Sequence, residues 1–184
     1  MKMPDKDVLV AIAFAAPAIA FVSILLYRVL KLVRLKRSVE EAWAGLMDCL
    51  ARRAELVPRL VEIVRGYAGF ERTALDKIVE ARNATMVAQT PSDKARVEYD
   101  LMKSLKSVVV LADAYPDMKA NYAFMSARTQ LRDLDRELPS VTQSYNDAVD
   151  TYNKRVTGRR SKTLARFMSY QVHGRYQIAT RCSE

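Results

Sequence analysis

Residues 124–152 read FMSARTQLRDLDRELPSVTQSYNDAVDTY. Phe124, Ala127, Leu131, Leu134, Leu138, Val141, Tyr145, Ala148 and Tyr152 alternate steps of three and four, with charged and polar residues between them. A seven-residue apolar repeat gathers its side chains on one stripe of a helix, and such stripes pack as long, nearly parallel rods. Pro139 falls inside the repeat, where it removes one backbone hydrogen bond and is expected to bend the helix. The stretch predicts an all-α protein of long packed helices.

Three further stripes lie upstream. Val39, Ala42, Trp43, Leu46, Cys49 and Leu50 form the first; Leu60, Val64, Tyr67, Leu75 and Ile78 the second; Met102, Leu105, Val109 and Ala112 the third. Prolines mark the breaks. Pro58 suits the first turn of a new helix, where its missing N–H costs nothing. Thr90-Pro91-Ser92-Asp93 reads as a loop and a capped helix start, with Lys94 on the surface beyond it, and Tyr115-Pro116-Asp117 ends the third helix. The sum is an antiparallel bundle of three or four helices of about 25–35 residues, standing on a stalk.

The stalk begins in VLVAIAFAAPAIAFVSILLY, residues 8–27, twenty residues without a charge. At 1.5 Å per residue such a helix is about 30 Å long, the thickness of a bilayer's hydrocarbon core. Pro17 in its middle is better tolerated in a membrane than in water. A cleaved signal peptide, ending near Ala18 and Ala20, is the alternative. The run is long for a signal core, and it continues at helical spacing into the bundle. Residues 8–27, from Val8 past Pro17 to Tyr27, therefore read as a membrane anchor after a short segment 1–7.

Charge sets its expected orientation. Residues 28–37 hold five bases, Arg28, Lys31, Arg34, Lys36 and Arg37, and no acid, whereas residues 1–27 balance. The positive-inside tendency then places the C-terminal body in the cytoplasm. Residues 38–153 hold 15 bases against 18 acids, and residues 154–184 eight against one. The net charge of +9 is thus not that of a uniformly basic nucleic-acid binder, and no specific nucleic acid is expected. Arg159, Arg160, Lys162, Arg166 and Arg175, interleaved with Leu164, Phe167, Met168, Val172 and Tyr176, make residues 157–184 a candidate lipid-binding amphipathic helix, with disorder the alternative.

Several residues are candidates for an interaction surface. Arg52 and Arg53 read as a solvated or ion-paired face, or more weakly as an anion site. Gly66 and Gly69 each cost a helix about 1 kcal/mol against alanine, which close approach of a neighbouring helix or a partner would offset. Tyr145-Asn146 and Tyr152-Asn153 repeat at seven residues and share one side of a helix. They form either a polar docking stripe or, the preferred reading, a seam whose asparagines bond across helices.

EEAWAGLMDCLARRAELVPRLVEIVRGYAGFERTALDKIVEARNA, AYPDMKANYAFMSARTQL and YNDAVDTYNKRV, in this order, resemble the blocks of the LemA family of bacterial membrane proteins over roughly residues 30–156. The resemblance implies an N-terminal anchor in the bacterial inner membrane, a LemA-like helical bundle over 28–156 and no established biochemical activity. It extends to members found with magnetosome organelles of magnetotactic bacteria. Met47, Pro139 and Thr142 depart from the usual pattern, as does the tail 157–184, where a Phe-Pro pair and an apolar segment normally follow.

Catalysis finds no support. The single histidine, His173, is far in sequence from Cys49 and from any carboxylate cluster, and Asp133 and Asp135 point to different helix faces. No glycine-rich loop follows a strand, and the two cysteines have no framework spacing. No catalytic residue, metal or cofactor is expected. The expectation is a non-catalytic scaffold whose partners are the bilayer, an unidentified membrane or cytoplasmic protein and a possible second copy. Membrane assembly or remodelling is the alternative.

Overall fold

A computed structural model describes residues 6–66, 72–112, 114–158 and 172–177. They form α1 (Lys6–Arg65), α2 (Arg72–Val87), α3 (Pro91–Ala112), the single turn α4 (Pro116–Lys119) and α5 (Tyr122–Thr157), with no strand among the described residues. α1 packs chiefly on α5, and α2 on α3. Rising numbers on α1 meet falling numbers on α5, since Trp43 meets Tyr145 and Arg52 meets Glu137. The two long helices are therefore antiparallel, and the all-α bundle is as the sequence predicts.

The largest departure is at Pro58, which starts no helix. α1 runs for 60 residues, about 90 Å, through both Pro17 and Pro58. Proline at 58 has no N–H to give the Ala54 carbonyl one turn back. Arg82 of α2 supplies the missing donor, its Nε reaching the Ala54 oxygen at 3.1 Å. The turn falls eight residues later, where Gly66 N–H closes on the Ile63 carbonyl at 3.2 Å. The expected second stripe is thereby divided, Leu60 and Val64 going to α1 and Leu75 and Ile78 to α2.

The other boundaries follow local chemistry. Thr90 caps α3, accepting from Asp93 N–H at 3.1 Å while its hydroxyl donates to the Asp93 carboxylate at 2.7 Å. Pro116 opens α4, and Asn121 caps α5 by accepting from Phe124 N–H at 3.1 Å. α5 continues through Pro139 to Thr157. Its buried stripe keeps the expected positions except that Val141 is only half-buried and Val149 replaces Ala148 before Tyr152, with Val156 following. A helix of 3.6 residues per turn drifts off a strict heptad in this way.

The core is apolar: Leu46, Leu50, Val57, Leu60 and Val64 of α1 with Phe124, Leu131, Tyr145 and Val149 of α5, and Ile78, Leu101 and Leu105 of the hairpin. Lys94, expected on the surface, is buried, and its Nζ donates to the Thr85 carbonyl across the α2–α3 turn. In α1 the side chains from Ile19 to Tyr27 are exposed, and all but Ser23 are apolar. They belong to the one helix among the described residues that is long and apolar enough to cross a membrane.

Candidate functional site

The paired Tyr-Asn motif of α5 does not bond across to another helix. It holds the chain's own segment 172–177, which is extended and carries no helix. Asn146 takes both backbone groups of Tyr176, donating from Nδ2 to the carbonyl at 2.8 Å and accepting from the N–H at 2.9 Å. Asn153 does the same for His173, at 2.9 and 3.1 Å. Tyr145 Oη donates to the Gly174 carbonyl at 2.8 Å, Arg175 reaches Asp150 at 3.6 Å, and the His173 ring stands edge-on to Tyr152 at 5.1 Å.

The spacing explains the motif. Seven residues of helix advance about 10.5 Å, and three residues of extended chain about 10 Å. Two asparagines one heptad apart thus match residues 173 and 176 of a segment running antiparallel to α5. Each side-chain amide presents one donor and one acceptor, the complement of a peptide unit. A helix over 172–177 would spend those N–H groups internally. The candidate amphipathic helix therefore gives way to an extended strap here. Arg175 is engaged with Asp150, while Arg159, Arg160, Lys162 and Arg166 lie outside the described residues.

Tyr176 is 0 % exposed and belongs to the apolar core, within electrostatic reach of Glu98 of α3 and of Arg53 and Cys49 of α1. Its phenol has no hydrogen-bond partner among the described residues, and burial, reinforced by Glu98, pushes its pKa well above the usual tyrosine range. Glu98 is 1 % exposed, with neither oxygen hydrogen-bonded among the described residues. Desolvation holds its carboxyl above the ordinary range, against the opposing pull of Arg53 and Lys94.

The remaining candidates are accounted for locally. Arg52 pairs with Asp48 at 3.0 Å and Glu137 at 2.7 Å, so it is an ion-paired face. Arg53 is 2 % exposed and lies 3.4 Å from Asp135, which removes it from any solvated face. Gly66 is exposed at the end of α1, and a Cβ there would touch only the Ile63 carbonyl of its own helix, at 3.4 Å. No other described helix approaches it within 4 Å; Gly69 lies outside the described residues. Pro17 and Tyr27 are exposed on α1, and Val8 belongs to α1 by its backbone.

With those residues engaged internally, a groove of about 910 Å³ lies open between α3 and α5. Leu105 and Leu131 form its floor, and Met102, Val109, Val110 and Met125 its walls. Val110 is 60 % and Met125 54 % exposed. Lys106, Lys119 and Arg132 stand around it, none in an ion pair among the described residues.

The third sequence stripe obscured this groove. The α3 core consists of Ala95, Leu101, Leu105, Val108 and Ala112, whereas Met102 and Val109, assigned to the expected stripe, line the groove. A signal was present in the apolar width of VVVLA, broader than one buried stripe needs. Among the described residues no three His, Cys, Asp or Glu side chains converge as a metal site would require. Cys49 is a buried free thiol whose pKa burial raises.

A family model described as LemA family matches residues 42–184, starting and ending later than the roughly 30–156 over which the sequence blocks were apparent. No curated protein matches the chain.

Proposed function

Given that the chain belongs to the LemA family, we propose that it is a non-catalytic, membrane-anchored scaffold that holds a protein-binding helical bundle in the cytoplasm. The observation that carries this reading is the continuity of α1. One unbroken helix extends from the exposed apolar stretch into the bundle core. Arg53, at the α3–α5 groove, lies 26 residues beyond Tyr27, which is about 39 Å at 1.5 Å per residue. A rigid stalk of this kind sets the height and direction of a binding face. The five bases from Arg28 to Arg37 support the cytoplasmic orientation.

Crosslinking in native membranes tests the reading. A scaffold should give a stoichiometric protein adduct that depends on the bundle and survives when the membranes are washed with salt. If the purified full chain instead assembles on and reshapes vesicles, with no protein adduct in the cell, the remodelling role replaces it.

A further inference from the structure

We propose that the α3–α5 groove docks an acidic amphipathic helix of a partner protein, an inference that rests on the scaffold reading and gives its ligand a chemistry. α3 is held to the bundle mainly by α2, and α5 mainly by α1, so the two helices flank the groove without closing it. From Met102 to Val110 α3 offers about 12 Å of wall, and from Met125 to Asp135 α5 offers about 15 Å, at 1.5 Å per residue. That is two to three turns, the reach over which a docked helix places anchors at i, i+3 or i+4, and i+7. Met102 and Met125 add unbranched, polarizable side chains that adapt to such anchors.

Charge decides which helix fits. Among the described residues Lys106, Lys119 and Arg132 have no carboxylate partner, and Asp135, the one acid among those lining the groove, is engaged by Arg53. Acids flanking an apolar stripe would meet these three cations, whereas a basic helix would be repelled. The chain's own segment 157–184 has the wrong sign, with six bases and one acid. A bilayer headgroup is also excluded as the occupant by distance, about 39 Å along α1 from Tyr27.

The test uses the full chain in detergent and two fluorescent designed peptides. Both carry leucine at helical anchor spacing; one fills its polar positions with glutamate, the other with lysine. The acidic peptide should bind at least about tenfold more tightly, and less tightly as salt is raised. Lys106→Glu with Arg132→Glu, both exposed substitutions, should lower that affinity by about tenfold or more while Trp43 fluorescence reports an intact fold. Equal binding of the two peptides, or full affinity in the charge-reversed protein, overturns the proposal. In native membranes a photocrosslinker at Val110 should capture a protein through an acidic helical segment, and one at exposed Gln143 should not. Capture only at Gln143 would remove the groove and leave the scaffold standing. Capture at neither position, nor at any other on the bundle, would remove the scaffold as well. Capture of a second copy of this chain at Val110 would overturn the assignment to a different partner.

Discussion

Tyr176→Ala should unseat the whole strap, and a double-mutant cycle with Asn146→Ala should reveal it. Tyr176 is completely buried, and truncating a buried aromatic residue to alanine costs about 3–5 kcal/mol. Asn146 makes two bonds to the Tyr176 backbone; at about 1 kcal/mol net for each, Asn146→Ala should cost about 2 kcal/mol. Both substitutions act on one docked segment, so once it has left, the second has little to remove. The double variant should therefore lie close to Tyr176→Ala alone, a coupling of about 2 kcal/mol. Tyr176→Phe is the control, because the hydroxyl it deletes is buried without a partner and its loss should be neutral or stabilising. Denaturant unfolding of the full chain in detergent can be followed through Trp43, the single tryptophan, whose ring lies 5.0 Å from that of Tyr145. Additive losses, within about 0.5 kcal/mol, would show that Asn146 and Tyr176 do not act through one docked strap.

Three further outcomes are expected. Arg82→Met should destabilise the bundle by about 1 kcal/mol or more, and by clearly less in a Pro58→Ala background, where the restored N–H can reach Ala54; equal losses in both, measured by the same unfolding, would refute the compensation. Glu98→Gln should gain on the wild type as pH rises. The raised folded pKa means that the protonated native form is favoured, so the wild type loses stability from the ordinary glutamate value near about 4.3 up to the raised one, and the gap then levels off; a gap that is flat or shrinks over that range contradicts the burial. Finally, a reporter fused after Glu184 should be active only in its cytoplasmic form, and periplasmic activity would reverse the orientation.

The all-α class and the long stripe of α5 were legible because one side of each helix must be dry, and dryness repeats with the turn of the helix. Pro58 misled for a physical reason. Local rules assign proline to a helix start, but here the cost of an interior proline is met by Arg82, a residue 24 positions away that no local window includes. Lys94 misled similarly, since the Thr85 carbonyl that receives it becomes a neighbour only when α2 and α3 fold back together. The Tyr-Asn repeat was visible as a pattern and its side of the helix was right. Its occupant was not, because an extended six-residue strap has too little periodicity to announce where it will lie. The groove was hidden by a single-residue ambiguity between Val108 and Val109, the first buried and the second at its wall.

The strap also bears on the order in which the parts of the protein can assemble. Its bonds join Asn146 to Tyr176 and Asn153 to His173, partners 30 and 20 residues apart in the chain. The two asparagines stand at the right separation only when α5 is helical, because seven residues span about 10.5 Å at helical rise and more than twice that when extended. The receiving surface therefore exists only after the helix has formed, and closing the loop to it costs entropy that no earlier contact of the strap repays. Tyr176 is thus a late plug rather than a nucleus: it locks an arrangement of helices that other contacts have already chosen.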